Sequence, residues 1–114
     1  MDCIFCKIVN GEIPADIVYE DEEILAFRDL APQAPVHLLI IPKEHIASLD
    51  EISESAGHSE LLGRLMSKIR LIAALTELET GYRVISNCGE DALQTVKHLH
   101  FHLIGGRKMG WPPE

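Results

Sequence analysis

His98-Leu99-His100-Phe101-His102-Leu103-Ile104 alternates three imidazoles strictly with apolar side chains. On a helix, about 100° of rotation per residue would put His98 and His102 on one side and His100 nearly opposite. On a strand all three share one face, about 6.6 Å apart at a rise of ~3.3 Å per residue. Leu99, Phe101 and Leu103 then point into a core. The pattern predicts a strand over Val96–Ile104, closed by the Gly105-Gly106 turn and a short tail. The plainer reading is a chance cluster on a solvated face, or a tag-like metal binder. Placement inside a strand with a good core face, rather than in a tail, weighs against both. A row of imidazoles in one pocket offers a nucleophile, a proton donor and hydrogen-bond donors. Neutral imidazole is a good nucleophile near neutral pH, and the protonated form pairs with phosphate. A phosphoryl centre suits that combination, because its transition state needs positioning and charge stabilisation.

Working outward, Tyr82–Asn87 reads as the preceding strand, with Cys88–Leu93 as the loop between them. Val36–Ile41 is almost wholly apolar and predicts a central strand covered on both faces, ended by Pro42. Asp16–Glu20 and Glu23–Asp29 predict two more strands around the acidic turn Asp21-Glu22, the second with a clear period of two. Ala31-Pro32-Gln33-Ala34-Pro35 is a loop, since two prolines do not fit a ladder interior. Ile4, Phe5 and Ile8 share a face of a short N-terminal helix ended by Gly11. Ser48-Leu49-Asp50-Glu51 has the form of a capping box that starts a short turn. Leu61, Leu62, Leu65, Met66, Ile69, Ile72 and Ala73 form one apolar stripe of a long helix over 57–79, with Gly81 placed as its C-terminal cap. His58, in its first turn, is expected to be solvated. The sum is a single α+β domain over residues 1–114, a five-stranded antiparallel sheet with one long and one short helix. One long helix that does not alternate with strands excludes a doubly wound fold.

The chain has 114 residues, 46% hydrophobic and 25% charged, which excludes an intrinsically disordered polymer. Its formal net charge of −8 makes long nucleic acid and anionic membranes poor partners. No apolar run approaches the roughly 20 residues of a bilayer span. Neither is there a basic start followed by a long apolar stretch, so a cytoplasmic protein without a secretory signal is expected. Three cysteines, Cys3, Cys6 and Cys88, do not make a disulfide framework. Cys3-x-x-Cys6 is half of a zinc site, and His45 and His98 offer the two further donors that a closed site needs. The alternative is two reduced thiols packed against the sheet. A redox pair would be expected at a helix start after a strand, and this pair precedes every strand. Cys88 reads as an ordinary buried or loop thiol.

His-x-His-x-His followed by two apolar residues resembles the signature of the histidine triad (HIT) superfamily of nucleotide hydrolases and transferases. Phe27-Arg28-Asp29-Leu30-Ala31-Pro32-Gln33-Ala34-Pro35-Val36-His37-Leu38-Leu39-Ile40-Ile41-Pro42-Lys43 is similar to that family's second block. Gly105-Gly106-Arg107-Lys108-Met109-Gly110-Trp111-Pro112-Pro113 resembles the tail of its Hint branch. The likeness runs from about residue 3 to 113 and is loosest through the long helix. It implies a purine nucleoside phosphoramidase that also takes aminoacyl adenylates. His100 attacks the α-phosphorus and carries a nucleotidyl intermediate. His102 and His37 contact phosphate oxygens, and His98, helped by a backbone carbonyl, holds His100 in its reactive tautomer. Asp29 receives the ribose hydroxyls. Phe5, Ile8, Ile13 and Leu30 form a slot for the purine. Asn87, Gln94 and Thr95 line the phosphate and leaving-group side. Trp111 either sits near the site to select the leaving group or covers a hydrophobic edge.

The resemblance further implies AMP, GMP or their phosphoramidates as ligands, with no organic cofactor. It implies structural zinc on Cys3, Cys6, His45 and His98, and a homodimer whose two sheets join into one of ten strands. The family usually has glycine where this chain has Leu93, so the leucine is expected to slow turnover or narrow the substrate range. Two other functions compete. A dinucleoside polyphosphate hydrolase belongs to a branch without this tail. A nucleotide-sensing protein with weak turnover is encouraged by Leu93.

Overall fold

The computed structural model describes residues 3–113. Two helices, α1 (Ile4–Val9) and α2 (His58–Leu75), flank five strands: β1 (Ile17–Glu20), β2 (Ile24–Arg28), β3 (Val36–Pro42), β4 (Tyr82–Ile85) and β5 (Phe101–Gly105). The sheet order is β1-β2-β3-β5-β4, and every neighbouring pair is antiparallel. This is the expected α+β architecture. Leu49–Glu51 forms a short 3-10 turn whose start is capped by the Ser48 hydroxyl accepting from Asp50 N–H at 3.2 Å. Among the described residues no helix is long and apolar enough to cross a membrane.

Residue parity explains the layers. In β2 and β3, Ile24, Ala26, Leu38 and Ile40 pack with Leu61, Leu65, Ile69 and Ile72 of α2. Their neighbours Leu25, Phe27, Leu39 and Ile41 pack on the opposite face with Cys3 and Phe5 of the N-terminal segment. Successive strand side chains point to opposite faces, so β3 is buried on both. His37 and His102 share the face of Leu39, because Leu39 and His102 are direct partners in the ladder. The α1 side therefore collects polar groups, and the α2 side is almost purely apolar.

Four expectations are corrected. The last strand is paired only from Phe101, not from Val96, so His98 and His100 precede it in irregular backbone. There Leu99 N–H donates to the Ile46 carbonyl at 2.6 Å, and the Ser86 hydroxyl takes the His100 carbonyl at 2.9 Å, just past the end of β4. Helix α2 ends at Leu75, not Glu79, and Gly81 does not cap it. Instead Glu77 adopts the left-handed conformation at φ 61° and Leu78 N–H donates back to the Ala73 carbonyl at 3.0 Å. Burial of Leu78 drives this early stop. It packs so closely on Gly105 that a Cβ there would meet it at 2.7 Å. Last, His58 is buried, and Met66 of the anticipated stripe is exposed.

A glutamate in the left-handed region costs stability that glycine would not. Glu77→Gly should raise stability by about 0.5–1 kcal/mol, after the larger unfolded-state entropy of glycine is subtracted. A higher urea midpoint with an unchanged slope is the expected result, and a lower midpoint would contradict it.

Candidate active site and metal centre

On the α1 face of the sheet a cleft of about 290 Å³ opens between α1, β2 and the segment before β5. Its wall includes Phe5, Ile8, Ile13, Phe27, Leu30 and Leu39, and its polar end holds Asp29, Thr95, His100 and His102. A larger hollow of about 470 Å³ runs along Thr80–Arg83 and Arg107–Met109, but it contains neither histidine nor carboxylate.

The hydrogen-bond partners dictate the ring tautomers. A carbonyl only accepts, so the His98 carbonyl, 2.7 Å from His100 Nδ1, puts the proton on Nδ1. In the neutral ring this leaves His100 Nε2 with a bare lone pair. Phe5 stands edge-on to His100, with ring centres 5.1 Å apart. The second chain begins at Gln33, whose N–H donates to His37 Nδ1 at 3.0 Å. His37 therefore carries its proton on Nε2 and donates it to His102 Nδ1 at 2.9 Å. His102 is left with an Nε2–H. Asp29 Oδ2 lies 3.4 Å from His37 Nε2, and its Oδ1 accepts the Ala31 N–H at 2.8 Å. Asp29, His37 and His102 have the composition of a metal site. The Gln33 N–H gives these positions to a hydrogen-bonded relay instead.

His98 does not face the cleft, contrary to the expectation of three imidazoles in one row. The bend at 96–98 breaks the period of two and turns its ring toward Cys3, Cys6 and His45. His98 Nε2–H donates to the Pro42 carbonyl at 2.8 Å, which leaves Nδ1 as a donor atom for a metal. That Nδ1 lies 3.3 Å from Cys3 Sγ, 3.6 Å from Cys6 Sγ and 3.2 Å from His45 Nδ1, and the latter is 3.3 Å from Cys6 Sγ. A tetrahedral zinc with ordinary bond lengths separates two nitrogens by about 3.3 Å and a nitrogen from a sulfur by about 3.5 Å. The four donors fit that ion. Burial, then the hydrogen bond and charge of Cys3, raise the Cys6 thiol from 9.0 to about 11. A bound cation reverses this balance, because a coordinating thiol gives up its proton.

Other expected site residues divide. Phe5, Ile8, Ile13, Leu30, Asp29 and Thr95 line the cleft. Gln94 is buried and its amide is committed to backbone: Oε1 accepts from Gly89 N–H, and Nε2 donates to Ala47 and Val96 carbonyls. Asn87 likewise donates to the Ala92 carbonyl, and neither residue reaches the cleft wall. His37 acts behind His102 rather than on the wall. Trp111 is 82% exposed, neither lining the cleft nor covering an apolar edge of its own chain. Leu93 is exposed and left-handed at φ 59°, a conformation that suits glycine. Cys88 lies half-buried in the loop after β4. The backbone carbonyl expected to hold the His100 ring is that of His98; missed from the sequence were the Gln33 N–H and the Pro42 carbonyl, which carry no side-chain signal. Phe27 and Leu39 were legible, since parity puts them on the α1 face.

The HIT domain family matches residues 10–109. A 14 kDa zinc-binding protein of Brassica juncea is 46% identical over 112 residues, 98% of this chain and 99% of that protein. Adenylylsulfatase HINT1 of Arabidopsis thaliana is 46% identical over 112 residues, 96% of this chain and 75% of that protein. The crystal structure of a HIT family hydrolase from Legionella pneumophila superposes with a TM-score of 0.93 at 50% identity, covering 99% of this chain and 100% of that one. The chain belongs to the HIT family, and its fold is the HIT fold.

Burial, then the neighbouring His100 and His37, push His102 from the ordinary 6.5 down to about 4, against the pull of Asp29. Between those values the unfolded chain binds a proton at residue 102 that the native fold refuses. Stability is thus fully present above about 6.5 and declines as the pH falls toward 4. The melting temperature should drop through this window, and His102→Gln should flatten the drop. Equal slopes in the two proteins would remove His102 as its source.

Proposed function

We propose that this protein is a nucleotide-binding hydrolase that cleaves the P–N bond of purine nucleoside 5′-phosphoramidates and the mixed anhydride of aminoacyl adenylates. One observation carries the reading: the His98 carbonyl fixes the proton of His100 on Nδ1, within a cleft that holds both a carboxylate and an apolar wall. His100 Nε2 attacks the α-phosphorus, the phosphorus–nitrogen bond breaks, and the amine leaves with a proton drawn from solvent, which the water of the second step returns. Water then attacks the nucleotidyl-His100, releasing AMP or GMP and the free imidazole. His102 Nε2–H donates to a phosphate oxygen, and His37 positions His102 through the relay from Gln33. Asp29 accepts from the ribose hydroxyls, and Phe5, Ile8, Ile13 and Leu30 enclose the purine. Thr95 faces the leaving group. The Arabidopsis relative named as an adenylylsulfatase supports adenylyl compounds as substrates.

Cys3, Cys6, His45 and His98 hold zinc in this reading, which the Brassica relative's name supports. Bound there, the ion supplies a structural cross-link with no open coordination position. Reduced thiols suit a cytoplasmic location. Two chains associate as a homodimer through the outer edge of β4, where Tyr82, Val84 and Ile85 are exposed, while α2 leaves Leu71 and Leu75 exposed one turn apart. A second reading, nucleotide sensing with weak turnover, is favoured by the left-handed Leu93, two residues before Thr95 in the sequence.

With adenosine 5′-phosphoramidate, wild type should release AMP, His100→Asn should lose about 10³-fold or more of that rate, and Leu93→Gly should raise it. A folded wild type that binds AMP without turnover would favour sensing instead. Purified protein should also carry close to one zinc per chain. Cys3→Ser should lose the metal and melt about 5 °C or more lower. Metal-free wild type prepared without chelator would refute the zinc reading.

A further inference from the structure

His58 takes part in neither the cleft nor the four-donor cluster, yet it is buried at the start of α2 with both ring nitrogens bonded. Ser53 N–H donates to its Nδ1 at 2.9 Å, so the proton sits on Nε2. That Nε2–H donates to Glu44 Oε2 at 2.8 Å. Glu44 immediately precedes His45 in the sequence. The segment 43–47 belongs to no helix or strand and is held by cross-bonds from other elements. Lys43 N–H donates to the Glu23 carbonyl at 2.7 Å, and the Ile46 and Ala47 carbonyls accept from Leu99 N–H and Gln94 Nε2. His45 itself is exposed, in contrast to the fully buried His98. In the hydrogen bonds and ring contacts among the described residues its ring meets only fellow cluster members, Cys6 Sγ and the edge-on His98 ring with centres 5.0 Å apart, so its approach to them depends on the backbone that carries it.

We infer that the Glu44–His58 pair is a strut that positions His45 as a metal ligand, tying the ligand-bearing segment to the first turn of α2. The inference rests on the zinc reading. Removing either end of the strut loosens residues 44 and 45 between the tethers at Lys43 and Ile46, so that ordering His45 Nδ1 adds a cost to metal binding. The cost falls on metal affinity rather than on the apolar core, because the Glu44 side chain is 53% exposed and stands outside the apolar cluster under α2.

The test is zinc affinity, measured by competition with a colorimetric chelator, beside the melting temperature of each metal-free protein. Glu44→Ala and His58→Leu should each weaken zinc binding about tenfold, the low end for groups that hold metal ligands in place. Glu44→Gln should stay within about threefold, since its amide oxygen still accepts from His58 Nε2–H. Ser48→Ala, which removes the cap of the neighbouring turn, should lower the melting temperature without moving zinc affinity. Wild-type affinity in both Glu44→Ala and His58→Leu would overturn the strut, as would an equal loss in Ser48→Ala. A wild type that binds no zinc would overturn the metal reading and the strut together, and it shows before any variant is compared.

Discussion

The hydrogen bond from His100 Nδ1 to the carbonyl two residues back sets the terms for the rest of the site. In a regular ladder the His98 carbonyl would be committed to a neighbouring strand. Here the chain has left the ladder, so the carbonyl is available to the imidazole. A released carbonyl is useful only if it is held still. The fully buried His98 ring does this from one side, bonded to the Pro42 carbonyl and set against the cysteine cluster. The Leu99 N–H does it from the other, through Ile46. Residue 98 thus connects two centres: its side chain belongs to the cysteine–histidine cluster, and its backbone orients the ring of His100.

The Gln33–His37–His102 chain shows the same economy. One backbone N–H, fixed in the proline-flanked loop before β3, selects the tautomers of two imidazoles in series. Burial keeps His102 neutral at ordinary pH, and the ring offers a donor to the cleft without adding a charge to the protein. On a chain with a formal charge of −8, a phosphate would otherwise meet a repulsive field. Directed N–H groups give it local partners beside the two carboxylates of the lining, Asp16 and Asp29, of which Asp16 is paired with Arg28.

The sheet was legible because β2 and β3 alternate between two cores, and a period of two is a local property of the sequence. The helix end was misjudged because Gly81 is an inviting cap, whereas the burial of Leu78 against Gly105 is a contact between distant segments. His98 was misoriented for a related reason. Its bend is held by bonds from Gln94 to Ala47 and from Leu99 to Ile46, none of which leaves a periodic trace. His58 looks solvated from sequence alone, because nothing adjacent to it announces Glu44 as its partner. The four cluster residues were nevertheless named from the sequence: Cys3-x-x-Cys6 is a local half-site, and the family resemblance pointed to His45 and His98, 39 and 92 residues from Cys6. The backbone carbonyl behind His100 was expected from the family resemblance, but the tautomers of His37 and His102 were not, because the Gln33 N–H sets them.

The most direct test of this account is the ring ¹⁵N spectrum of His100 in the ligand-free protein at neutral pH. A protonated Nδ1 and an unprotonated Nε2 are expected in the neutral ring. A proton on Nε2, with Nδ1 bare, would mean that the His98 carbonyl does not hold the nucleophile and would contradict the account at its root.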